Sequence, residues 1–317
     1  MHRVLALRAL GLGDFLTSVP ALRALRAHYR DSNLVLATSE WLTPLVRLAE
    51  CVDDVHATRA LSPIDIESPI DVAVNLHGSG PQSIDVLEAL HAEVLVTHAH
   101  RDRPEIPGTT WEPDLHEVER WCRLLREHGI AADENDLALA RPPVPSPASG
   151  AVVVHPGAAS RARRWPAERF ASIARTLRHT GYDVVVTGTA AESSLAGEVV
   201  ARAGLPSAAS MAGRLSLVEM AALVADARMV LCGDTGIAHL ASAYGTPSVV
   251  LFGPTPPARW GPPESGPHQV MWHGTTGDPH ADVPDPGLTD ISELEVTAAV
   301  HAALGRTNPV EKAGATT

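Results

Sequence analysis

A short turn without bulky side chains, Gly233 to Gly236, follows the apolar run Met229–Cys232 and precedes a helical pattern. The run predicts a buried strand, and the pattern predicts a helix over Thr235–Tyr244 that ends at Gly245. The N-terminus of a helix presents free backbone N–H groups and the positive end of the helix dipole, and both favour a phosphate. The sequence therefore predicts a phosphate site at this turn. Its donors would be the N–H groups of Thr235, Gly236 and Ile237.

Two side chains flank this predicted phosphate site. Asp234 precedes the helix and is a residue type that caps helices, so we expect it to N-cap the helix and shape the turn. His239 lies four residues after Thr235 on the same helical face, and we expect its imidazole to reach the same ligand. A histidine packed in the core is the alternative, which we disfavour because the turn already builds an anion site.

Positive charge is concentrated before another predicted helix, Trp165–His179. Three arginines, Arg161, Arg163 and Arg164, follow Ser160 in a chain of net charge −12. Guanidinium groups bind diphosphates through paired hydrogen bonds. We therefore assign Arg163, with the neighbouring Ser160, to the binding of a diphosphate. For any single arginine of the three, a solvated basic loop is the simpler interpretation.

A carboxylate follows the predicted strand Asp183–Thr187 and the break at Gly188. Glu192 has the position and the type of a residue that binds ribose hydroxyls in nucleotide-binding domains. An exposed glutamate at the start of a helix is an equally good interpretation.

The first turn of the chain, Gly11-Leu12-Gly13-Asp14, follows a predicted strand and contains a second carboxylate. A dinucleotide fingerprint requires a third glycine where Leu16 stands, so an NAD-dependent oxidoreductase is the least favoured class. A carboxylate that faces an interdomain cleft is placed for general-base chemistry. Helix capping is the alternative for Asp14, and the residues alone weigh the two evenly.

Strand and helix patterns alternate along the chain, which favours parallel sheets covered by helices. The segment 141–150 contains four prolines and predicts a stiff linker. We therefore predict an α/β protein with two Rossmann-like domains, residues 1–140 and 151–290, whose ligand lies in the cleft between them. Residues 291–305 are predicted to form a C-terminal helix and residues 306–317 a tail.

The segment Pro254–Pro286 is dense in proline, glycine and histidine, and we predict irregular structure there. Four of its side chains, His273, Asp278, His280 and Asp282, could suggest a metal site. Their spacing matches no pattern of metal ligands, so we expect them to be solvated and predict no metal site.

Composition limits the cellular partners of the chain. A net charge of −12 over 317 residues argues against nucleic acid, whose phosphates require basic patches. Three scattered cysteines, Cys51, Cys122 and Cys232, indicate a reducing compartment. No apolar run reaches the roughly eighteen residues of a transmembrane helix. We expect a cytoplasmic protein with at most a weak peripheral contact with a membrane.

Five motifs occur in order from the first predicted strand to the second half of the chain. They are Gly11-Leu-Gly-Asp14-Phe-Leu-Thr-Ser-Val-Pro-Ala-Leu22, Asp71-Val-Ala-Val-Asn-Leu-His-Gly78, Met211-Ala-Gly-Arg-Leu-Ser-Leu-Val-Glu219, Gly233-Asp-Thr-Gly-Ile-Ala-His239 and Leu251-Phe-Gly-Pro-Thr255. In type and order they resemble glycosyltransferase family 9, the ADP-heptose:lipopolysaccharide heptosyltransferase family. The resemblance implies the two-domain GT-B fold.

The resemblance also implies roles for the matching residues. Asp14 matches the catalytic aspartate that activates the acceptor hydroxyl, and Gly13 is assigned to the donor side. Arg163 matches a position usually held by lysine that contacts the donor phosphates, and Glu192 matches the ribose-binding glutamate. Residues Asp234 to His239 match the loop that holds the diphosphate and the donor sugar. On the acceptor side the matching residues are Asn75, His77 and Gly78.

By family likeness, the reaction is inverting, forms no covalent glycosyl-enzyme and uses a nucleoside-diphosphate sugar, most simply an ADP-linked heptose. No cofactor is expected, and the C-terminal helix is expected to cross back to the first domain. Because the chain is acidic, we expect a glycan or small-molecule acceptor with little charge. Two other classes stay open: a nucleotide-sugar-binding protein without turnover, and a GT-B-like sugar-nucleotide epimerase, for which no acid–base pair is evident.

Overall fold

The computed structural model describes residues 2–305, and its strands form two separate parallel sheets of five strands each. The first sheet has the order β3-β2-β1-β4-β5. Its strands are β1 (Arg3–Leu7), β2 (Asn33–Thr38), β3 (Asp54–Ala57), β4 (Val72–Asn75) and β5 (Val94–Val96). The second sheet has the order β10-β9-β8-β6-β7. Its strands are β6 (Val152–His155), β7 (Val184–Val186), β8 (Met229–Gly233), β9 (Ser248–Leu251) and β10 (His268–Met271).

Helices connect the strands of both sheets, as the alternating sequence pattern predicts. The first domain contains α1 (Leu12–His28), α2 (Thr43–Ala49), α3 (Gln82–Glu88) and α4 (Glu117–Glu127). The second contains α5 (Ala167–His179), α6 (Ser193–Ala203), α7 (Leu217–Ala225), α8 (Gly236–Tyr244), α9 (Pro257–Trp260), α10 (Pro286–Asp290) and α11 (Glu293–Gly305). The predicted linker, residues 141–150, contains neither helix nor strand.

Apolar packing arranges these elements in layers. Along β1, Val4 and Ala6 belong to a cluster that continues into the second domain, whereas Leu5 and Leu7 belong to a cluster on the outer face of the sheet. Helix α1 packs against α4 and α8, and α2 contacts α7. Two layers of helices therefore lie between the two sheets, and their apolar faces form one continuous core.

Two expectations about the second domain are corrected. The segment predicted to be irregular contains α9 and the edge strand β10, which pairs with β9. An edge strand has only one neighbour and remains half exposed, so it needs no long apolar run. Helix α11 packs against α5, β8, β9 and β10 of its own domain. The expected crossing to the first domain is therefore not made by residues 293–305, and the tail 306–317 lies outside the described residues.

No helix within residues 2–305 is both long enough and apolar enough to cross a membrane.

Candidate functional site

A cavity of about 1010 Å³ lies between the two domains, beyond the carboxyl ends of strands in both sheets. Its first-domain wall consists of Trp41 and the turn 11–14 between β1 and α1. Its second-domain wall is built mainly from the turns that follow β6, β7 and β8. The lining residues of these turns are His155, Ala158, Ala159, Arg163 and Arg164, then Gly188 to Glu192, then Asp234 to Ile237 with His239.

The two walls approach each other at a pair of glycines. A Cβ atom on Gly13 would lie 2.9 Å from Cδ2 of His239, and one on Gly236 would lie 2.9 Å from Cβ of Leu12. Real Cβ atoms are not found at such distances, so a side chain at either glycine would push the two turns apart. The glycines therefore let residue 14 and the start of α8 share one cavity.

Helix α8 presents an open N-terminus to this cavity. Its N-cap residue is Thr235, which makes no side-chain capping bond. The first-turn residues Gly236 and Ile237 line the cavity. Two elements of the predicted phosphate site, free N–H groups and the positive end of the dipole, thus lie in the cavity wall.

Asp234 does not N-cap α8, contrary to the sequence prediction. Its carboxylate is 3.9 Å from Nη1 of Arg163, and the same Nη1 lies 3.5 Å from the Asp234 carbonyl oxygen. Burial raises the pKa of Asp234 to about 6, although the nearby Arg163 acts in the opposite direction. A cap would require a carboxylate turned towards the following N–H groups, whereas this one turns towards the arginine.

Some side chains of the segment 160–164 line the cavity, and others form hydrogen bonds within the protein. Arg163 lines the cavity, and its Nε atom is buried without a partner in the described residues. Arg164 donates to the carbonyl of Ala158 over 2.7 and 2.9 Å and so holds the loop in shape. The predicted donor residue Ser160 does not line the cavity, because its hydroxyl donates to the carbonyl of Ala281 over 2.9 Å.

Glu192 lies in the cavity wall, as the sequence prediction requires, and is nearly buried. Its Oε2 accepts hydrogen bonds from the backbone N–H and the hydroxyl of Thr189, over 2.8 and 2.9 Å. Its Oε1 accepts from no described group. A side chain on Gly157 would overlap this carboxylate, so the glycine makes room for it. One carboxylate oxygen therefore remains for a ligand hydroxyl.

Asp14 caps α1 and also lines the cavity, while its role as a base stays a prediction. Its Oδ2 accepts from the backbone N–H of Gly11 over 3.1 Å, which caps α1. Its Oδ1 lies 3.4 Å from Nη2 of Arg8, and the side chain keeps 30% of its surface exposed towards the cavity region. The carboxylate is thus oriented by the protein and open to a second reactant.

His239 lines the same cavity from the first turns of α8. Its ring meets Trp260 edge to face, with the centroids 5.8 Å apart. Burial, with a smaller effect from His116, lowers the pKa of His239 to about 4. The imidazole is therefore neutral at neutral pH and can donate or accept one hydrogen bond.

The three residues predicted on the acceptor side do not line the cavity. Asn75 is fully buried, and its amide donates to the hydroxyls of Ser83 and Thr97 over 3.0 Å, so it holds the core together. His77 accepts from the N–H of Ala9 over 3.2 Å, which places it beside the 11–14 turn. Burial, with Arg8 nearby, lowers the pKa of His77 to about 4. Gly78 follows it and is partly exposed.

Several lining residues escaped the sequence analysis. Trp41 follows β2, lies at the same sheet edge as the 11–14 turn and is 52% exposed. Its position directly after a predicted strand could have indicated that it lines the cavity. An apolar group at the start of α7, composed of Leu215, Leu217 and Met220, also lines the cavity. His280 is exposed, as expected, and it also lies in the cavity wall because Ser160 and Ala162 bind the carbonyl of Ala281. Nothing in its local sequence could have indicated this.

Within residues 2–305, no group of three or more His, Cys, Asp and Glu side chains is arranged to hold a metal ion. The absence of any required cofactor stays a prediction.

Comparison with known proteins places the chain in a family. A family model described as glycosyltransferase family 9 (heptosyltransferase) matches residues 110–280. The lipopolysaccharide heptosyltransferase 2 of Salmonella typhimurium is 30% identical over 151 residues, which span 45% of this chain and only 43% of that protein.

Two solved structures share the fold over nearly the whole chain. A family 9 glycosyl transferase from Veillonella parvula superposes with a TM-score of 0.80 at 20% identity and covers 96% of this chain and 98% of that one. The ADP-heptose lipopolysaccharide heptosyltransferase II of Escherichia coli gives a TM-score of 0.77 at 22% identity and covers 96% and 99%. These similarities confirm the GT-B architecture and do not favour an epimerase or a protein without turnover. The chain belongs to glycosyltransferase family 9, the heptosyltransferase family.

Proposed function

We propose that the protein is an inverting glycosyltransferase that moves a heptose from an ADP-linked donor to an acceptor hydroxyl. One observation carries the proposal: Asp14 of the first domain and the open N-terminus of α8 with Arg163 of the second domain line a single cavity. A base and an anion site on opposite walls are the two groups that a direct displacement requires. The names of the family and of its relatives support the choice of donor.

The chemistry follows from this opposition. Asp14 accepts the proton of the acceptor hydroxyl while the hydroxyl oxygen forms a bond to the anomeric carbon. The bond between that carbon and the diphosphate oxygen breaks on the opposite face, so the configuration inverts. Negative charge grows on the leaving diphosphate, where Arg163 and the N–H groups of Gly236 and Ile237 stabilise it. No second carboxylate is needed as a nucleophile.

The donor is accommodated by the second-domain wall. With the diphosphate at the start of α8, the ribose hydroxyls reach the free Oε1 of Glu192. The apolar group at the start of α7, Leu215, Leu217 and Met220, then offers a surface for the base. His239, neutral at neutral pH, adds a hydrogen-bonding group beside the diphosphate and the sugar.

The acceptor faces the first domain. The described residues of that wall, Trp41 and 11–14, include no cation. A phosphorylated lipopolysaccharide core would gain nothing from such a surface, so we propose a glycan or small-molecule acceptor of little charge. The cytoplasmic location, with at most a peripheral membrane contact, stays a prediction.

The test is transfer itself. The protein is incubated with ADP-heptose, or with GDP-, UDP- and dTDP-linked sugars, and with neutral and phosphorylated acceptors, while release of the matching nucleoside diphosphate and product mass are followed. We expect ADP-heptose and a neutral acceptor to give product. Asp14→Asn should lower kcat about 10²- to 10⁴-fold, the contribution of a positioned base, without weakening ADP binding.

One outcome would contradict the role of Asp14 as base, and another would contradict the transferase function. Undiminished transfer by Asp14→Asn would mean that another group accepts the proton. If the protein binds the donor tightly but neither transfers the sugar to any acceptor offered nor slowly hydrolyses the donor, it is a binding protein.

A further inference from the structure

A buried arginine joins Asp14 to a second carboxylate. Arg8 is 1% exposed, and its Nη2 lies 2.9 Å from Oε1 of Glu117 and 3.4 Å from Oδ1 of Asp14. Its Nε donates to the carbonyl of Asp14 over 2.8 Å, and its Nη1 to the carbonyl of Leu76 over 2.6 Å. The guanidinium therefore holds both the backbone and the carboxylate of Asp14, and it cannot rotate without breaking these bonds.

Glu117 is held as firmly as Arg8. Its carboxylate accepts from Arg120 over 3.2 Å and from Nε1 of Trp121 over 3.0 Å. Burial alone would raise the pKa of Glu117, but Arg8 and Arg120 outweigh burial and the pKa lies below its usual range. Glu117 thus carries a negative charge next to Arg8 and offsets part of the positive charge that Asp14 experiences.

The residues just before Glu117 contact the second domain. Nε2 of His116 is 3.0 Å from the carbonyl oxygen of Gly261, and Asp114 forms an ion pair with Arg259. Both partners lie in or directly after α9. The helix start that supplies Glu117 is therefore attached to the opposite wall of the cleft.

We propose that Arg8 and Glu117 are positioning residues that set the orientation and the basicity of Asp14 and tie both to the contact between residues 114–116 and 259–261. The inference rests on the proposed function, in which Asp14 is the base. Glu117 touches no reactant and acts only through Arg8.

The charges around Asp14 determine the sign of the effect. Besides Arg8 and Glu117, the titratable groups nearby are His77 and His239, whose low pKa values keep them neutral at neutral pH. Arg163 lies across the cavity, and Arg120 is behind Glu117. Neutralising Glu117 leaves the positive charge of Arg8 unbalanced beside Asp14, whereas neutralising Arg8 leaves Asp14 near the negative charge of Glu117. The two changes therefore alter the electrostatic potential at Asp14 in opposite directions.

The experiment is the pH profile of kcat, with carbon-13 NMR of the Asp14 carboxyl in the ligand-free protein, assigned by comparison with Asp14→Asn, as the second readout. We expect the acidic limb of the profile to move towards lower pH in Glu117→Gln and towards higher pH in Arg8→Gln, each by about one pH unit. The carbon-13 signal of Asp14 should change in both variants. Glu119→Gln, on the same helix but paired with Arg126, should move neither and serves as the matched control.

A purely structural role predicts no opposed shifts, so two shifts of one sign, or none, overturn the proposal. If the glutamine variants do not fold, a third variant, Arg8→Lys, can be used, because it keeps the positive charge. It should leave the acidic limb of the kcat profile in place yet lower kcat about tenfold, part of what a positioned base contributes. Unchanged kcat in Arg8→Lys overturns the orienting role.

The carbon-13 spectra need no substrate, so two kinds of failure can be distinguished. Absence of transfer by the native protein would refute the proposed function, and full transfer by Asp14→Asn would refute the base role of Asp14, whatever Arg8 and Glu117 do. Absence of opposed shifts, in a protein that Asp14→Asn inactivates, would refute only the role of Arg8 and Glu117.

Discussion

Arg163 places a planar cation beside the uncapped first turn of α8, where we propose that the diphosphate of the donor binds. Arg163→Ala removes a charge-assisted pair of hydrogen bonds worth about 1.5–3 kcal/mol, so the Kd for ADP should rise about 10- to 100-fold. Arg163→Lys keeps the charge but loses the planar pair of N–H donors, so its Kd for ADP should lie between those of the native protein and Arg163→Ala. Titration calorimetry measures all three.

The matched control for this prediction is Arg161→Ala. Arg161 lies in the same short turn, is exposed and does not line the cavity. Its removal should leave the Kd for ADP unchanged. If Arg161→Ala weakens ADP binding as much as Arg163→Ala does, the loss of affinity comes from the general surface charge and not from a direct contact with the phosphates.

Trp41 presents a half-exposed indole on the first-domain wall of the cavity, where we propose that the acceptor binds. A sugar ring can pack its apolar face on this indole. Loss of such a contact costs about 0.5–1.5 kcal/mol, so Trp41→Ala should raise the acceptor KM about two- to tenfold. Trp41→Phe keeps a ring and should recover most of the loss. The KM for the donor should not change in either variant, and an equal rise of both KM values would place Trp41 at the donor instead.

At the scale of single residues, the sequence predicted correctly the positions that are set by the local backbone. It failed for side chains whose position is set by a hydrogen-bond partner far away in the sequence. The α8 turn is local, so the place of Gly236 and Ile237 in the cavity could be predicted. Asn75 was misplaced because its amide binds Ser83 and Thr97, which come from other elements. Ser160 was misplaced because its partner, Ala281, is 121 residues away.

At the scale of elements, the start of α1 and the start of α8 must touch for the cavity to form. Gly236→Ala puts a Cβ 2.9 Å from Leu12, so we expect overpacking to destabilise the protein by about 1–3 kcal/mol and transfer to fall with it. Thermal melting and kcat measure the two effects. Leu12→Ala in the Gly236→Ala background should recover part of both, because it removes Cγ and Cδ2 of Leu12, which lie 2.9 and 3.0 Å from the new Cβ, while the Cβ of residue 12 remains.

The same substitution at Gly197 is the control for this contact. Gly197 lies within α6, and a Cβ there would meet nothing within 4 Å. Gly197→Ala should raise stability by about 0.5–1 kcal/mol, as alanine does in the interior of a helix, and leave transfer unchanged. A similar loss at both positions would show that helix propensity, and not the contact between domains, explains the Gly236 result.

The strands of both sheets could be predicted because buried parallel strands are apolar runs bounded by turns. Strand β10 could not, since His268–Met271 is a half-exposed edge in which no apolar run is required. The packing of α1 on α8 could not be predicted either. Both helices have weak amphipathic patterns because they are covered on nearly every side, and sequence periodicity does not say which neighbour covers which side.

At the scale of the whole molecule, one apolar cluster runs from the first sheet through both helix layers to the second sheet. Separation of the domains would expose the facing surfaces of α1 and α8, so we expect both domains to unfold together. Scanning calorimetry should show one transition whose calorimetric and van't Hoff enthalpies agree. ADP at about 100 times its Kd should move the whole transition upwards by on the order of 5 °C.

The response to ADP distinguishes coupled from independent domains. If only the second domain bound nucleotide and unfolded independently, ADP would shift one of two resolved transitions and leave the other in place. Arg163→Ala supplies the control, because at the same ADP concentration its weakened site should remove about half or more of the shift while the transition remains single. Two transitions in the native protein would mean that the shared apolar cluster does not couple the domains, and that the cleft opens more readily than the packing of α1 on α8 implies.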